Sequence, residues 1–247
     1  MNIKNSWLVQ SPIAHRGLHT NEIPENSLAA FENAVLHDYP IELDVRFTDD
    51  SEVVVFHDDT LKRMTNSDGY ITNIQSAELH KYKLLETDQT IPTFEKTLEL
   101  VNGRTPLLIE IKNHGKVGIL ERKVADMLAS YNGQFAVQSF NPYSLEYFKK
   151  NAPGILRGQL SMNFTKEEQP SIVKRYLLSR LKQNHVSKPD FIAFRGSDLP
   201  NYCVFKTQLP VLAWTVRSNA EMERVAPACD NIIFEKFIPQ ITKDFGG

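Results

Sequence analysis

Eight short apolar segments of strand length recur along this chain, with stretches of helical character between most of them. They are Ile13–Arg16, Ile41–Arg46, Leu107–Lys112, Phe135–Ser139, Leu156–Leu160, Phe191–Phe194, Val211–Val216 and Ile232–Phe234. Helices are expected over Ser27–His37, Val117–Tyr131, Pro142–Lys150, Glu167–Gln183 and Ser218–Val225. Strands that alternate with helices make βαβ units and a parallel sheet. Eight units in 247 residues fit a closed (β/α)8 TIM barrel, which runs to about 250 residues as one domain. No GxGxxG or GxxxxGKS/T follows any strand, which weighs against an open, doubly wound nucleotide-binding sheet.

One stretch breaks the rhythm. About sixty residues separate the second and third strands, and they hold an extra strand candidate, Val53–His57, and an Asp68-Gly69 turn. Residues 49–91 are therefore expected to be a small insertion at the barrel mouth, too short and too poor in core residues to stand alone. The rest, 1–247, reads as a single barrel domain. The basic amphipathic run Ile172–Lys182 is expected to be an ordinary barrel helix with a solvated face rather than a membrane-contact helix.

Bulk properties remove several classes of function. With 28 basic and 30 acidic residues, the chain lacks the basic surplus of a general nucleic-acid binder. Cys203 and Cys229 are too few for a disulfide framework, lack metal-ligand spacing, and read as small buried apolar residues. No long uncharged apolar run exists, and residues 1–10 contain no signal-peptide core. A cytoplasmic protein without stable membrane insertion is the expectation; the oligomeric state is not readable.

The chemistry is concentrated on the strands. In Ile41-Glu42-Leu43-Asp44-Val45-Arg46, alternation puts Glu42, Asp44 and Arg46 on one face and the apolar residues on the other. Two carboxylates confined together repel, and burying them unpaired is costly. Either a divalent cation or arginine neutralises them, with Arg16 and Arg46 as the candidate arginines. In Leu108-Ile109-Glu110-Ile111-Lys112, Glu110 supplies a third carboxylate and Lys112 a cation for an anionic oxygen. Oxygen-only ligands suit Mg²⁺ or Ca²⁺, with Mn²⁺ a third choice. His15 and His57 each close an apolar run and suit a general acid and base. Arg16 offers a fork for a phosphate, and Trp214 is either core or a contact for a substrate's alcohol. Such a set describes metal-assisted cleavage of a phosphoric ester.

At these residues the chain resembles the glycerophosphodiester phosphodiesterase family. The resemblance begins with His15-Arg16-Gly17, Pro24-Glu25-Asn26-Ser27 and Phe31, then Ile41-Glu42-Leu43-Asp44-Val45. It continues through Val53-Val54-Val55-Phe56-His57-Asp58, Thr60-Leu61-Lys62-Arg63-Met64-Thr65 and Gly69. Pro92-Thr93-Phe94, Ile109-Glu110-Ile111-Lys112 and Trp214-Thr215-Val216 complete it. The resemblance implies Glu42, Asp44 and Glu110 as ligands of one divalent cation and His15 and His57 as the acid–base pair. It also implies Arg16 and Lys112 on the phosphate of a small glycerophosphodiester, with Trp214 lining the alcohol pocket.

Two departures stand at the last two strands: Arg217 where the family often has Asn, and Ile232-Ile233-Phe234-Glu235-Lys236-Phe237 where its usual ending resembles DGIITDYP. Arg195 and Arg217 are candidates for biasing the pocket toward a substrate with additional negative charge, against a reading of both as surface arginines. The alternative activities are lysophospholipase D-like cleavage, with Phe164, Tyr176 and Leu177 lining an acyl groove, and a phosphodiester-binding barrel without turnover.

Overall fold

The computed structural model describes residues 3, 6–113, 115–166, 168 and 171–239. In chain order the strands are β1 (Ile13–Ala14), β2 (Ile41–Phe47), β3 (Val53–Val55), β4 (Leu107–Ile111), β5 (Phe135–Ser139), β6 (Leu156–Ser161), β7 (Phe191–Arg195), β8 (Val211–Val216) and β9 (Asn231–Phe234). The helices are α1 (Leu28–Leu36), α2 (Lys62–Thr65), α3 (Phe94–Val101), α4 (Ile119–Ala129), α5 (Pro142–Asn151), α6 (Ile172–Ser179), α7 (Asn184–Ser187), α8 (Tyr202–Phe205) and α9 (Asn219–Val225). The sheet order is β1-β9-β8-β7-β6-β5-β4-β2-β3, with β1 also paired to β2. With β3 set aside as an extra antiparallel strand, this is the parallel order of a (β/α)8 barrel.

Two compact units make up the chain: Ala14–Phe135, and Met1–Ile13 with Ala136–Gly247. In the first, β2 and β4 run parallel with Asp44 opposite Glu110. Every residue of β4, and all of β2 but Phe47, is buried, as expected of strands covered on both faces. The helices start where the sequence offers caps. Ser27 accepts from the Ala30 N–H at α1, and Thr93 accepts from the Lys96 N–H at α3. The sequence reading assigns no helix at α3. The signal was there, in Phe94, Thr97, Leu98 and Val101, which share the buried face at helical spacing.

The segment 49–91 carries β3, α2 and short 3₁₀ turns. It also has an apolar cluster of its own, nine buried residues from Val54 to Ile91, so it is richer in core than its composition suggested. These residues are spread singly through polar sequence and converge only on folding.

In the second unit, β5 to β9 pair in parallel succession. Asn141 and Pro142 open α5, and Ser218 caps α9. Gly158 on β6 stands opposite Phe191 on β7, and a Cβ on it would fall inside that ring. Gly158→Ala should lower stability by about 1–3 kcal/mol, the usual cost of overpacking. A urea midpoint identical to the parent's would mean that the ring has room to move.

Two expectations change here. The segment expected as one helix from Glu167 to Gln183 is α6 with α7 following it; Glu167 and residues 169–170 lie outside the described residues. None of the α6 residues is fully buried; Leu177 and Leu178 are half-buried, while Ile172, Val173 and Tyr176 are exposed. Cys203 and Cys229 are free and half-buried rather than buried. Burial nonetheless pushes the Cys229 thiol up to about 12. Among the described residues, no helix is long and apolar enough to cross a membrane.

Candidate active site

The β2–β4 pair sets the centre of the site, within the unit Ala14–Phe135. Glu42, Asp44 and Glu110 are all buried, and each offers an oxygen within 4.8 Å of the others. Parallel register explains the clustering: Asp44 and Glu110 are direct cross-strand partners, and Glu42 lies two residues before Asp44 on the same face. Two cations sit against the acids. Lys112 Nζ is 2.7 Å from Glu110 and 3.3 Å from Asp44. Arg16 Nε lies 3.4 Å from Asp44, and the Arg16 backbone N–H donates to Glu42 at 3.0 Å. The Asn26 amide donates to Asp44 at 2.8 Å.

Of the two arginines considered as neutralisers, Arg16 fills the role and Arg46 does not. Arg46 donates to the His57 carbonyl at 2.9 and 2.7 Å and pairs with Asp59. It shares the face of Glu42 and Asp44 but lies alongside β3, with Val54 as its antiparallel partner. Its task is to hold the loop that presents His57.

His15 and Arg16 follow β1 in a tight turn rather than ending the strand. Arg16 is left-handed at φ 55° and is followed by Gly17 at φ 80°, where a Cβ would strike Ala30 at 2.9 Å. The turn is what aims the Arg16 N–H at Glu42.

His57 is half-buried, and its Nδ1 meets Asp58 at 2.6 Å. With Asp58 ionised, Nδ1 donates and Nε2 is the nitrogen left to exchange a proton. Asp58 continues into a network that motif reading alone does not reveal. Arg63 Nε donates to Asp58 at 2.6 Å, while its two Nη atoms reach Glu25 at 2.8 and 2.7 Å. Glu25 in turn accepts from Arg16 at 2.6 Å. Glu25, Asp58 and Arg63 were visible only as members of motifs; that they tie His57 to Arg16 is a tertiary fact.

The electrostatics divide the three acids. Burial pushes the Glu42 carboxyl well above the usual range, and repulsion by Asp44 and Glu110 pushes it further. Burial acts the same way on Asp44, but Lys112, His57, Arg16 and the Asn26 amide outweigh it and hold Asp44 below its usual range. Burial opposes the charge of Lys112 too, yet Asp44 and Glu110 keep it raised. Burial and mutual repulsion oppose ionising the three carboxylates together, and a divalent cation would relieve that repulsion. The donor set is all oxygen, so the residues fit such an ion.

Glu25 gives a pH signature. Burial alone would raise its carboxyl, but hydrogen bonds and charge from Arg63 and Arg16 lower it from 4.5 to about 2. A depressed carboxylate stabilises the fold fully above its unfolded value and loses that contribution as pH falls from 4.5 toward 2. The contribution amounts to about 3 kcal/mol at most. In Glu25→Gln, urea midpoints measured between neutral pH and pH ~2.5 should flatten in this window; an unaltered acid slope would dissociate Glu25 from acid stability.

Trp214 belongs to the other unit, where it meets Phe140 edge-on at 5.6 Å. Its indole N–H is buried without a hydrogen-bond partner. Phe164 packs on the same Phe140 at 5.9 Å, while Tyr176 is exposed. Arg195 is paired to Glu168 and Asp198 at 2.7 and 2.8 Å, and Arg217 to Glu235 at 2.7 Å. Both arginines are engaged in ion pairs, the arrangement expected of surface arginines.

A family model described as the glycerophosphoryl diester phosphodiesterase family matches residues 15–234. The chain belongs to this family. Membership makes it a phosphoric diester hydrolase, and the matched span includes every site residue described above. Within the family, the glycerophosphodiester phosphodiesterase of Caldanaerobacter subterraneus subsp. tengcongensis is 34% identical over 90% of this chain and 92% of that one. Relatives from Bacillus subtilis and Bacillus altitudinis are 38% and 36% identical, over 58% and 61% of this chain and 62% and 66% of their own lengths. An Oleispira antarctica phosphodiesterase, solved with its product sn-glycerol-3-phosphate, is similar at a TM-score of 0.74, with 91% of this chain and 92% of that one covered. At 23% identity that likeness establishes the shared barrel fold.

Proposed function

We propose that this chain hydrolyses glycerophosphodiesters to glycerol 3-phosphate and an alcohol, with one divalent cation and two histidines. The observation that carries the reading is the buried triad Glu42, Asp44 and Glu110, flanked by Lys112, Arg16 and an Asp58-oriented His57. Glu42, Asp44 and Glu110 would hold Mg²⁺ or Ca²⁺, with Mn²⁺ a third choice; bound there, the ion supplies Lewis-acid polarisation of the phosphodiester and acidifies the nucleophile. Arg16 and Lys112 bind the anionic phosphate oxygens and keep them from repelling the attack. His15 takes the proton from the nucleophile as the new P–O bond forms. His57 Nε2–H gives its proton to the departing alcohol oxygen as the old P–O bond breaks. Trp214 would line the alcohol pocket. Residues 1–247 act as one catalytic domain, and 49–91 are its insertion.

The test is incubation of the protein with glycerophosphocholine, glycerophosphoethanolamine and lysophosphatidylcholine, with Mg²⁺, Ca²⁺ or EDTA, followed by ³¹P NMR. Metal-dependent glycerol 3-phosphate from the first two is expected. Lysophosphatidic acid from the third alone would replace the reading with a lysophospholipase D activity, and binding of all three without turnover would leave a non-catalytic barrel. Solvent ¹⁸O in the product without a cyclic intermediate identifies water as the nucleophile; a cyclic phosphate identifies the substrate's neighbouring hydroxyl.

A further inference from the structure

The unit that holds Ala136–Gly247 carries a surface that phosphodiester hydrolysis does not use. A groove of about 570 Å³ is lined by Tyr176, Arg180, Lys182, Lys188, Tyr202 and Lys206, among others, and no carboxylate lines it. In a chain with 28 basic and 30 acidic residues, four cations around one groove without a countercharge are a local concentration. None of the four forms an ion pair among the described residues, whereas Arg195 and Arg217 on the same unit do. Arg180 lies over the Tyr176 ring at 5.6 Å, and Lys206 lies over the Tyr202 ring at 4.8 Å. These contacts leave the outer side of each cation available to an anion.

Two helices that contribute to the groove also carry exposed apolar residues: Ile172 and Val173 on α6, the helix of Tyr176, are 71% and 63% accessible, and Phe205 on α8, the helix of Tyr202, is 80% accessible. Leu177 and Leu178 of α6 are half-buried. A short amphipathic helix with cations beside exposed aliphatic and aromatic residues matches the chemistry of a lipid interface, where the cations meet phosphates and the apolar groups enter the acyl boundary. Isolated exposed apolar residues need no explanation, but a cluster rimmed by unpaired cations does.

We propose that this face docks the enzyme on an anionic phospholipid surface, a lipid phosphate occupying the groove and Ile172, Val173 and Phe205 entering the headgroup boundary. Charge complementarity selects the partner: every charged residue lining the groove is a cation, and the exposed apolar side chains on α6 and α8 gain from acyl chains what water denies them. The inference is independent of which diester the active site cleaves.

Co-sedimentation of the full chain with vesicles tests it. Binding should be tighter to phosphatidylcholine mixed with phosphatidylglycerol than to phosphatidylcholine alone, and it should weaken as salt is raised. Arg180→Glu with Lys206→Glu should weaken binding roughly 25-fold or more, at about fivefold for each cation near the surface. Ile172→Ser with Phe205→Ser should weaken it at unchanged charge. Hydrolysis of soluble glycerophosphocholine should be the same in all variants, which separates a failure of docking from a failure of the catalytic reading. Equal binding to both vesicle types, or parental binding by either double variant, would overturn the proposal. So would tight binding of inorganic phosphate that is lost in the charge-reversed variant while the serine variant still sediments normally; that result would make the groove a site for a free anion.

Discussion

Asp44→Asn is expected to destabilise the metal-free protein by about 3–5 kcal/mol, the usual cost of stripping one partner from a buried ion pair. Glu42→Gln is expected to leave the metal-free protein as stable as the parent or more so. Both acids are buried on one strand, two residues apart, and the proposed mechanism uses both as ligands. Their surroundings differ. Asp44 is the acid on which Lys112, Arg16 and the Asn26 amide converge, so neutralising it leaves two buried cations undercompensated. Glu42 is the acid that its neighbours repel, so neutralising it relieves strain when no ion is bound. Urea unfolding in EDTA reads the difference directly. Saturating Mg²⁺ or Ca²⁺ should reverse the order for Glu42, because a ligand that binds only the folded state stabilises it by mass action and Glu42→Gln forfeits that. Turnover should fall on the order of 10³-fold or more in both variants, as when one electrostatic contact to a transition state is lost. Equal losses of stability in EDTA would refute the division of roles between the two acids.

His57→Ala should reduce kcat by roughly 10²- to 10⁴-fold, the usual contribution of a positioned acid or base, while metal affinity stays at the parent value. His57 bonds to Asp58 and is presented by Arg46; the proposed mechanism gives it a proton-transfer role and no part in holding the metal. Asp58→Asn should cost less, about 10- to 100-fold, because the imidazole remains but loses the acceptor that fixes its tautomer. It should also move the pH–rate profile, which a purely structural loss would not do. Calorimetric metal titration beside steady-state kinetics distinguishes the cases. A His57→Ala enzyme of normal activity would remove that residue from the mechanism, and one that has lost its metal would make it a ligand.

Much of the site could be read from the strand segments because period-two alternation is a local property. IELDVR can bury its apolar residues on one side only by placing Glu42, Asp44 and Arg46 on the other. Alternation says nothing about partners. Arg46 and Arg16 were equal candidates for neutralising the acids, and the choice fell to Arg16 because the turn after β1 aims its backbone and guanidinium at Glu42 and Asp44. Glu25 and Arg63 are 38 positions apart, and no local pattern reports a bidentate pair at that separation. The pairing of Arg217 with Glu235 across 18 positions is of the same kind. It engages in an ion pair an arginine that the sequence offered either as a substrate contact or as a surface residue. Long flexible side chains take the carboxylate that the fold supplies, and which one it supplies is a non-local outcome.

The amino-acid sequence by itself determined the number and order of the barrel strands, most of the helices between them, and the family. It also singled out the carboxylates and histidines that carry the proposed chemistry. Each of these follows from periodicity, capping residues or motif order, which act over a few residues at a time. Only the tertiary structure decided that Glu42, Asp44 and Glu110 share one buried pocket, since that depends on the register of β2 against β4. It alone decided that Ile172, Val173 and Tyr176 of α6 would stay exposed while Leu177 and Leu178 are half-buried. An amphipathic pattern prescribes a face; whether anything packs against that face is settled by the whole chain.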